Sequence, residues 1–80
     1  MTYSDVIAMR IKSLCKERNI SINKLAKRSG IGKSTVYRIA NGITKLSRIG
    51  SLYGISRGFG MTLSEFLDFP EMNNAKFDVL

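Results

Sequence analysis

Residues 21–42 read Ser21-Ile22-Asn23-Lys24-Leu25-Ala26-Lys27-Arg28-Ser29-Gly30-Ile31-Gly32-Lys33-Ser34-Thr35-Val36-Tyr37-Arg38-Ile39-Ala40-Asn41-Gly42. Small and apolar residues recur at helical spacing in two short blocks, first Ile22, Leu25 and Ala26, then Val36 and Ile39. Gly30 separates them, and glycine takes a positive φ without steric cost, so the chain turns sharply there. Ser21 precedes the first block as an N-cap, where a hydroxyl satisfies one of the helix's orphan N–H groups. Asn41-Gly42 closes the second block. Between alternating strands that dipeptide would signal a hairpin, but its flanks are helical and it is taken as a C-cap. Helices are therefore expected over about 22–29 and 33–40, joined by a tight turn. The small Ala26 lets them cross closely, Ile31 plugs the gap beneath the turn, and Val36 and Ile39 lock the second helix down. Lys33, Ser34, Tyr37 and Arg38 then share the opposite, free face.

Three further helical patterns flank this pair. The first covers about 5–18, with Ile7, Ile11 and Leu14 inward, Ser4 as N-cap and Asn19 as the stop. Arg10, Lys12, Lys16 and Arg18 are expected to face solvent. The fourth covers about 48–59, with Ile49, Leu52, Tyr53, Ile55 and Phe59 on its apolar side and glycines at 50, 54 and 58. The fifth opens with Thr62-Leu63-Ser64-Glu65, a capping box, and stops before Pro70. The tail from Glu71 onward has no strong periodicity and is expected either to be mobile or to lend Phe77, Val79 and Leu80 to a partner. No convincing strand appears. With 80 residues and 44% apolar content, the chain predicts an all-α, five-helix domain over 1–69 with one modest core, followed by a tail at 70–80.

Thirteen Lys and Arg against six Asp and Glu leave a formal charge of +7. From Arg18 to Ser64 there is no acid, while Arg18, Lys24, Lys27, Arg28, Lys33, Arg38, Lys45, Arg48 and Arg57 all fall there. A solvated basic face would share that bulk charge, but the two-helix unit inside the stretch tips the reading to nucleic acid. With no His and the single Cys15, a zinc site is not expected, and neither a cofactor nor enzymatic chemistry has candidate groups. A lone cysteine cannot form an internal disulfide, so a cytoplasmic protein is expected. No apolar run reaches bilayer length, and no membrane association is expected.

Two helices packed around a tight turn, with one face of the second left open, form a helix-turn-helix. That face fits the major groove of double-stranded DNA, where every base pair shows a distinct pattern of donors and acceptors. From Ile20 to Gly42, and on through Leu52-Tyr53-x-Ile55 and Phe59-Gly60-Met61-Thr62-Leu63, the chain resembles the phage-repressor and Cro-type helix-turn-helix family, also called lambda-repressor-like or XRE. The resemblance covers about residues 5–69. It implies a five-helix transcriptional regulator, commonly a homodimer on a pseudo-palindromic operator. Base-edge contacts are expected from Lys33, Ser34 and Arg38, since Lys and Arg suit guanine's acceptors and Ser donates or accepts. Thr35 is expected to touch the backbone or a base. Tyr37 either meets a sugar or thymine methyl or lies over the domain's own surface. Phosphate contacts are expected from Ser21 and Lys24 at the start of the second helix, and from Asn41, Lys45 and Arg48 after the third. Lys27 and Arg28 stay undecided, and Arg57, Lys76 and the bases of the first helix are assigned to solubility.

The chain also departs from the family. Ile22 stands where a polar residue usually opens the second helix, and Gly32 where a Ser or Thr usually caps the third. A buried Arg–Glu pair common in the family maps onto Cys15 and Ala40; losing both charges together can be nearly neutral. The glycines at 50, 54 and 58 suggest either close approach of another helix, across a dimer interface for instance, or a weakened fourth helix, and the weakened helix is the favoured reading. A different class of function is an interaction module, such as the antitoxin of a toxin–antitoxin pair, contacting its partner through Phe66, Phe69, Met72, Phe77 and Leu80. RNA binding is disfavoured because aromatic stacking positions are missing.

Overall fold

The computed structural model describes residues 1–76, and among these six helices follow one another: α1 (Tyr3–Arg18), α2 (Ile22–Ser29), α3 (Lys33–Ala40), α4 (Ile49–Gly58), α5 (Leu63–Leu67) and a single turn, α6 (Pro70–Asn73). The first five are the expected ones. The start of α1 differs from expectation. Thr2, not Ser4, is the N-cap: its hydroxyl accepts from the Asp5 N–H at 3.3 Å, and the Asp5 carboxylate accepts from the Thr2 N–H at 3.4 Å. Thr2 with Asp5 satisfies two orphan donors where Ser4, lacking an acid three residues on, could satisfy one. Ser4 is instead buried inside the first turn.

Three helices end in the same way, on a left-handed residue followed by a backbone bond back to the last turn. Asn19 (φ 55°), Gly42 (φ 71°) and Gly60 (φ 70°) supply the left-handed residue. The N–H groups of Ile20, Ile43 and Met61 then donate to the carbonyls of Cys15, Arg38 and Ser56 at 3.0, 2.9 and 2.9 Å. Asn41-Gly42 is thus a helix stop, as its helical flanks predict.

Ile7, Ile11 and Leu14 of α1, Leu25 of α2, Val36 and Ile39 of α3, Leu52, Ile55 and Phe59 at α4, and Phe66 of α5 form one core. The Phe59 and Phe66 rings stack within it, 6.3 Å between centroids. Cys15 and Ala40 belong to the same core, so the positions of the family's charged pair are apolar together. Burial pushes the Cys15 thiol up from its ordinary pKa, which keeps it protonated and unreactive.

The glycines of α4 explain how α2 is seated. A Cβ at Gly54 would stand 2.9 Å from the Ser29 carbonyl oxygen and 3.4 Å from Ile31 Cγ2. One at Gly58 would stand 2.9 Å from Leu25 Cδ1 and 3.2 Å from the Leu25 carbonyl oxygen. Around Gly50 there is nothing within 4 Å. Helix α4 is continuous through all three, so the weakened-helix reading is corrected: two of the glycines admit α2 at close range within the same domain. The expected apolar side of α4 is also corrected. Leu52, Ile55 and Phe59 are buried, but Ile49 and Tyr53 are 66% and 50% exposed, because at 100° per residue they fall on the outward arc with Gly50 and Arg57.

The chain after α5 returns to α1. Phe69 is buried, with the Arg10 guanidinium 4.9 Å from its ring centroid. The Tyr3 N–H donates to the Lys76 carbonyl at 2.6 Å, and Thr2 pairs with Lys76 in an isolated parallel bridge. Two apolar residues expected to meet a protein partner, Phe66 and Phe69, are therefore enclosed in the domain, and Met72 is partly buried against the core. Phe77, Val79 and Leu80 lie outside the described residues.

Two stability measurements follow from this packing. Gly50→Ala should raise the free energy of unfolding by about 0.5–1 kcal/mol, the helix preference for alanine in open space. Gly54→Ala should lower it by about 1–3 kcal/mol, because its methyl meets backbone that cannot yield; urea titration of both variants checks the opposite signs. At the start of α5, the Thr62 N–H donates to Glu65 Oε1 at 2.8 Å, and Glu65 N–H returns a bond to Thr62 Oγ1 at 3.0 Å. The backbone N–H and then the hydroxyl of Thr62 hold the Glu65 carboxyl below the usual glutamate range. Its stabilising effect is complete above the ordinary glutamate pKa and lost as pH falls through the lowered one. Glu65→Gln should remove that acid-side dependence, measured by urea titration across the acidic range.

Candidate nucleic-acid interface

Helix α3 is only eight residues long and owes its position to one buried side. Val36, Ile39 and Ala40 are all within 2% of complete burial. Lys33, Ser34, Thr35, Tyr37 and Arg38 are all exposed, so the five expected base-contacting residues lie together on the outer surface of one helix. Tyr37 is 55% exposed, so the larger part of it faces outward rather than into the domain. Gly32 caps α3 without a side-chain hydrogen bond, and the N–H groups of the first turn receive no hydroxyl from it.

The expected phosphate-contacting residues fall into two groups, one at the start of α2 and one in the connection after α3. Ser21 and Lys24 are exposed at the start of α2, where Ser21 Oγ accepts from the Lys24 N–H at 3.1 Å. Asn41, Lys45 and Arg48 are exposed along the α3–α4 connection. Asn41 Nδ2 donates to the Tyr37 carbonyl at 2.8 Å, so its amide also finishes α3. Lys45 Nζ lies 3.5 Å from Ser4 Oγ and so reaches back to α1. The connection itself rests on α1: a Cβ at Gly42 would lie 3.8 Å from Ala8 Cβ and from an Asp5 oxygen. Asp5, which lies outside the acid-free stretch in sequence, is thereby brought beside the loop in space.

Two bases expected to serve solubility have a different role. Arg10 donates from Nε to the Phe66 carbonyl at 2.9 Å and from Nη2 to the Glu65 carbonyl at 3.0 Å. Arg18 donates to the Phe59 carbonyl and holds its guanidinium 5.9 Å from the Phe59 ring. Each satisfies carbonyls at the end of a helix, where cations also complement the dipole. These partners are 41–56 residues away in sequence, and no local pattern announces them.

The sequence left Lys27 undecided, and Asn23 stands four residues before it in α2. The fold places both, with Ala26, Ile31 and Lys33, around a shallow groove between α2 and the start of α3. They meet Lys33, at the start of α3, across this groove. Their signal was the i, i+4 spacing of 23 and 27, which placed them on one side of α2. Among the described residues no group of three His, Cys, Asp or Glu side chains could hold a metal ion. No helix there is long and apolar enough to cross a membrane.

Residues 10–71 match the Cro/C1-type HTH DNA-binding domain. Two solved structures share the fold. A prophage Lp1 protein, protein 11, is 26% identical with a TM-score of 0.74, over 88% of this chain and 92% of that one. An HTH_3 family transcriptional regulator from Vibrio cholerae is 28% identical with a TM-score of 0.72, over 81% of this chain. The match spans only 36% of the Vibrio protein. No curated protein matches the chain in sequence. The match to the family covers most of the 80 residues, and the chain belongs to the Cro/C1-type helix-turn-helix DNA-binding family.

Proposed function

We propose that this Cro/C1-type domain is a sequence-specific transcriptional regulator, a repressor that binds a pseudo-palindromic operator as a homodimer with α3 in the major groove. The observation that carries this reading is the division of α3 into a buried apolar side and an outer surface made wholly of Lys33, Ser34, Thr35, Tyr37 and Arg38. Lys33 and Arg38 meet guanine edges, Ser34 donates or accepts, and Thr35 and Tyr37 contact neighbouring bases or thymine methyls. Ser21 and Lys24 on one side, and Asn41, Lys45 and Arg48 on the other, hold the phosphates that set the helix in register. A two-fold pair would present its reading helices about 34–36 Å apart, one turn of the duplex. Residues 1–69 supply all of these contacts. Such a regulator works in the cytoplasm, where its operator is.

A module that binds another protein through its C-terminal apolar residues is the weaker reading, because Phe66 and Phe69 are buried in the domain's own core.

Selection of bound sequences from random duplexes should return a palindrome. On the selected site, followed by fluorescence anisotropy, Arg38→Ala should cost about 1–3 kcal/mol and relax preference at one base position in each half-site. Arg48→Ala should weaken binding to all duplexes alike and reduce the slope of log affinity against log salt by about 1. Absence of binding to any duplex at low salt would contradict the proposal.

A further inference from the structure

We propose that Lys27 and Asn23 of α2 hold a phosphate of the DNA backbone in the groove between α2 and the start of α3, which makes Lys27 a positioning residue of the interface. This rests on the reading of α3 as the DNA-binding helix, and it extends the phosphate contacts from the first turn of α2 into its second.

The groove has a volume of about 290 Å³ and is lined by Asn23, Ala26, Lys27, Ile31 and Lys33. Ala26 is buried and Ile31 is half-buried against the core, so these two form its apolar floor. Asn23, Lys27 and Lys33 are exposed around it. None of the five is acidic, and the sequence has no acid from Arg18 to Ser64. Among the described residues, no hydrogen bond, ion pair or ring contact engages the side chains of Asn23, Lys27 or Lys33. Arg10 and Arg18, by contrast, are bonded to carbonyls of the fold.

Two ammonium groups beside one apolar floor, with no carboxylate between them, repel each other, and more strongly than they would in open water. An anion seated between them turns that repulsion into attraction. Asn23 and Lys27 are four residues apart, so their donors converge from one side of α2. Phosphate oxygens accept from both, and the bond to the ammonium is charge-assisted.

Position selects the DNA backbone as the source of this phosphate. The major groove is about 12 Å wide, so a helix lying in it has a sugar-phosphate strand along each side. Lys33 both opens α3 and lines the groove, so a strand passing the start of α3 passes the groove as well. Lys27 stands three residues after Lys24, about 4.5 Å further along the helix axis. Phosphates of one strand repeat about every 3.4 Å of duplex axis. A strand held at Ser21 and Lys24 therefore brings a further phosphate to Lys27. Ile22 packs against the core and offers that strand no polar group, so along α2 the contact passes to Asn23 and Lys27.

The test uses the whole chain with Lys27→Ala and Lys27→Arg variants. Lys12→Ala, on the exposed side of α1, is the reference for a change in overall charge. Both lysines are exposed, so the core stays intact, and circular dichroism checks folding. On the selected duplex, followed by anisotropy across a salt series, Lys27→Ala should weaken binding about 10-fold at low salt. It should also lower the slope of log affinity against log salt by about 1, and act by the same factor on random duplexes. Lys27→Arg should keep the wild-type slope, and so should Lys12→Ala. Uncharged methylphosphonates are then placed one at a time along the half-site. One position should weaken the wild type and leave Lys27→Ala unaffected, which identifies the phosphate as the duplex's own. A slope unchanged in Lys27→Ala, or equal losses in wild type and variant at every methylphosphonate, would overturn the proposal. Unchanged DNA binding together with lost binding to polyglutamate would assign the groove to an acidic protein segment instead. Failure of the wild type to bind any duplex at low salt would remove the DNA-binding reading itself, and the proposal with it.

Discussion

At Gly58 of α4, Leu25 of α2 approaches so closely that a methyl group in place of the hydrogen would stand 2.9 Å from its Cδ1. At Gly54 the carbonyl of Ser29 comes equally near. These two points set the distance between α4 and α2. Helix α2 in turn sets α3, because eight residues are too few for a helix to be stable on its own in water. The orientation of α3 follows from packing Val36, Ile39 and Ala40 into the core that α1, α2 and α4 enclose. Each glycine inside a helix costs about 0.5–1 kcal/mol relative to alanine. Here that cost is offset by close burial of Leu25 and of the turn at Ile31, on which the exposure of the opposite face of α3 depends.

The same architecture sorts the basic residues by function. Arg10 and Arg18 are held by carbonyls at the ends of α5 and α4, so they fasten those helices to α1. Lys33 and Arg38 stand on the exposed side of α3, while Lys24 is exposed at the start of α2 and Lys45 and Arg48 along the α3–α4 connection. Lys27 joins them across the groove between α2 and α3. A net charge of +7 therefore describes at least two populations, one bonded to the fold's own carbonyls and one on the exposed side of α3 and the segments next to it.

What was legible in the sequence was local. Ser21, Gly30, Asn41-Gly42 and the Thr62-Glu65 box act within a few residues of themselves, and the structure places α2, α3 and α5 where they indicate. The grouping of Lys33, Ser34, Tyr37 and Arg38 followed from helical periodicity alone. What escaped depends on residues far apart in the chain. Gly54 and Gly58 look like helix defects until α2 is laid against them. The solvent side of α4 was misassigned because Ile49 and Tyr53 are as apolar as Leu52 and Ile55, and only the fold separates them. Thr2 displaced Ser4 as the cap because the paired acid, Asp5, matters more than the hydroxyl alone. Arg10 gave no hint at all, since its acceptors are main-chain carbonyls more than fifty residues away.

The central claim is that α3, held by its buried side, offers its other side to DNA with the start of α2 and the α3–α4 connection on either flank. The most direct measurement is the amide chemical-shift map of the chain on addition of a duplex carrying one selected half-site. The largest changes should fall on residues 21–24, 33–38 and 41–48, with α1, α5 and α6 little affected. Changes centred on α1 and α6, with α3 unmoved, would contradict the account.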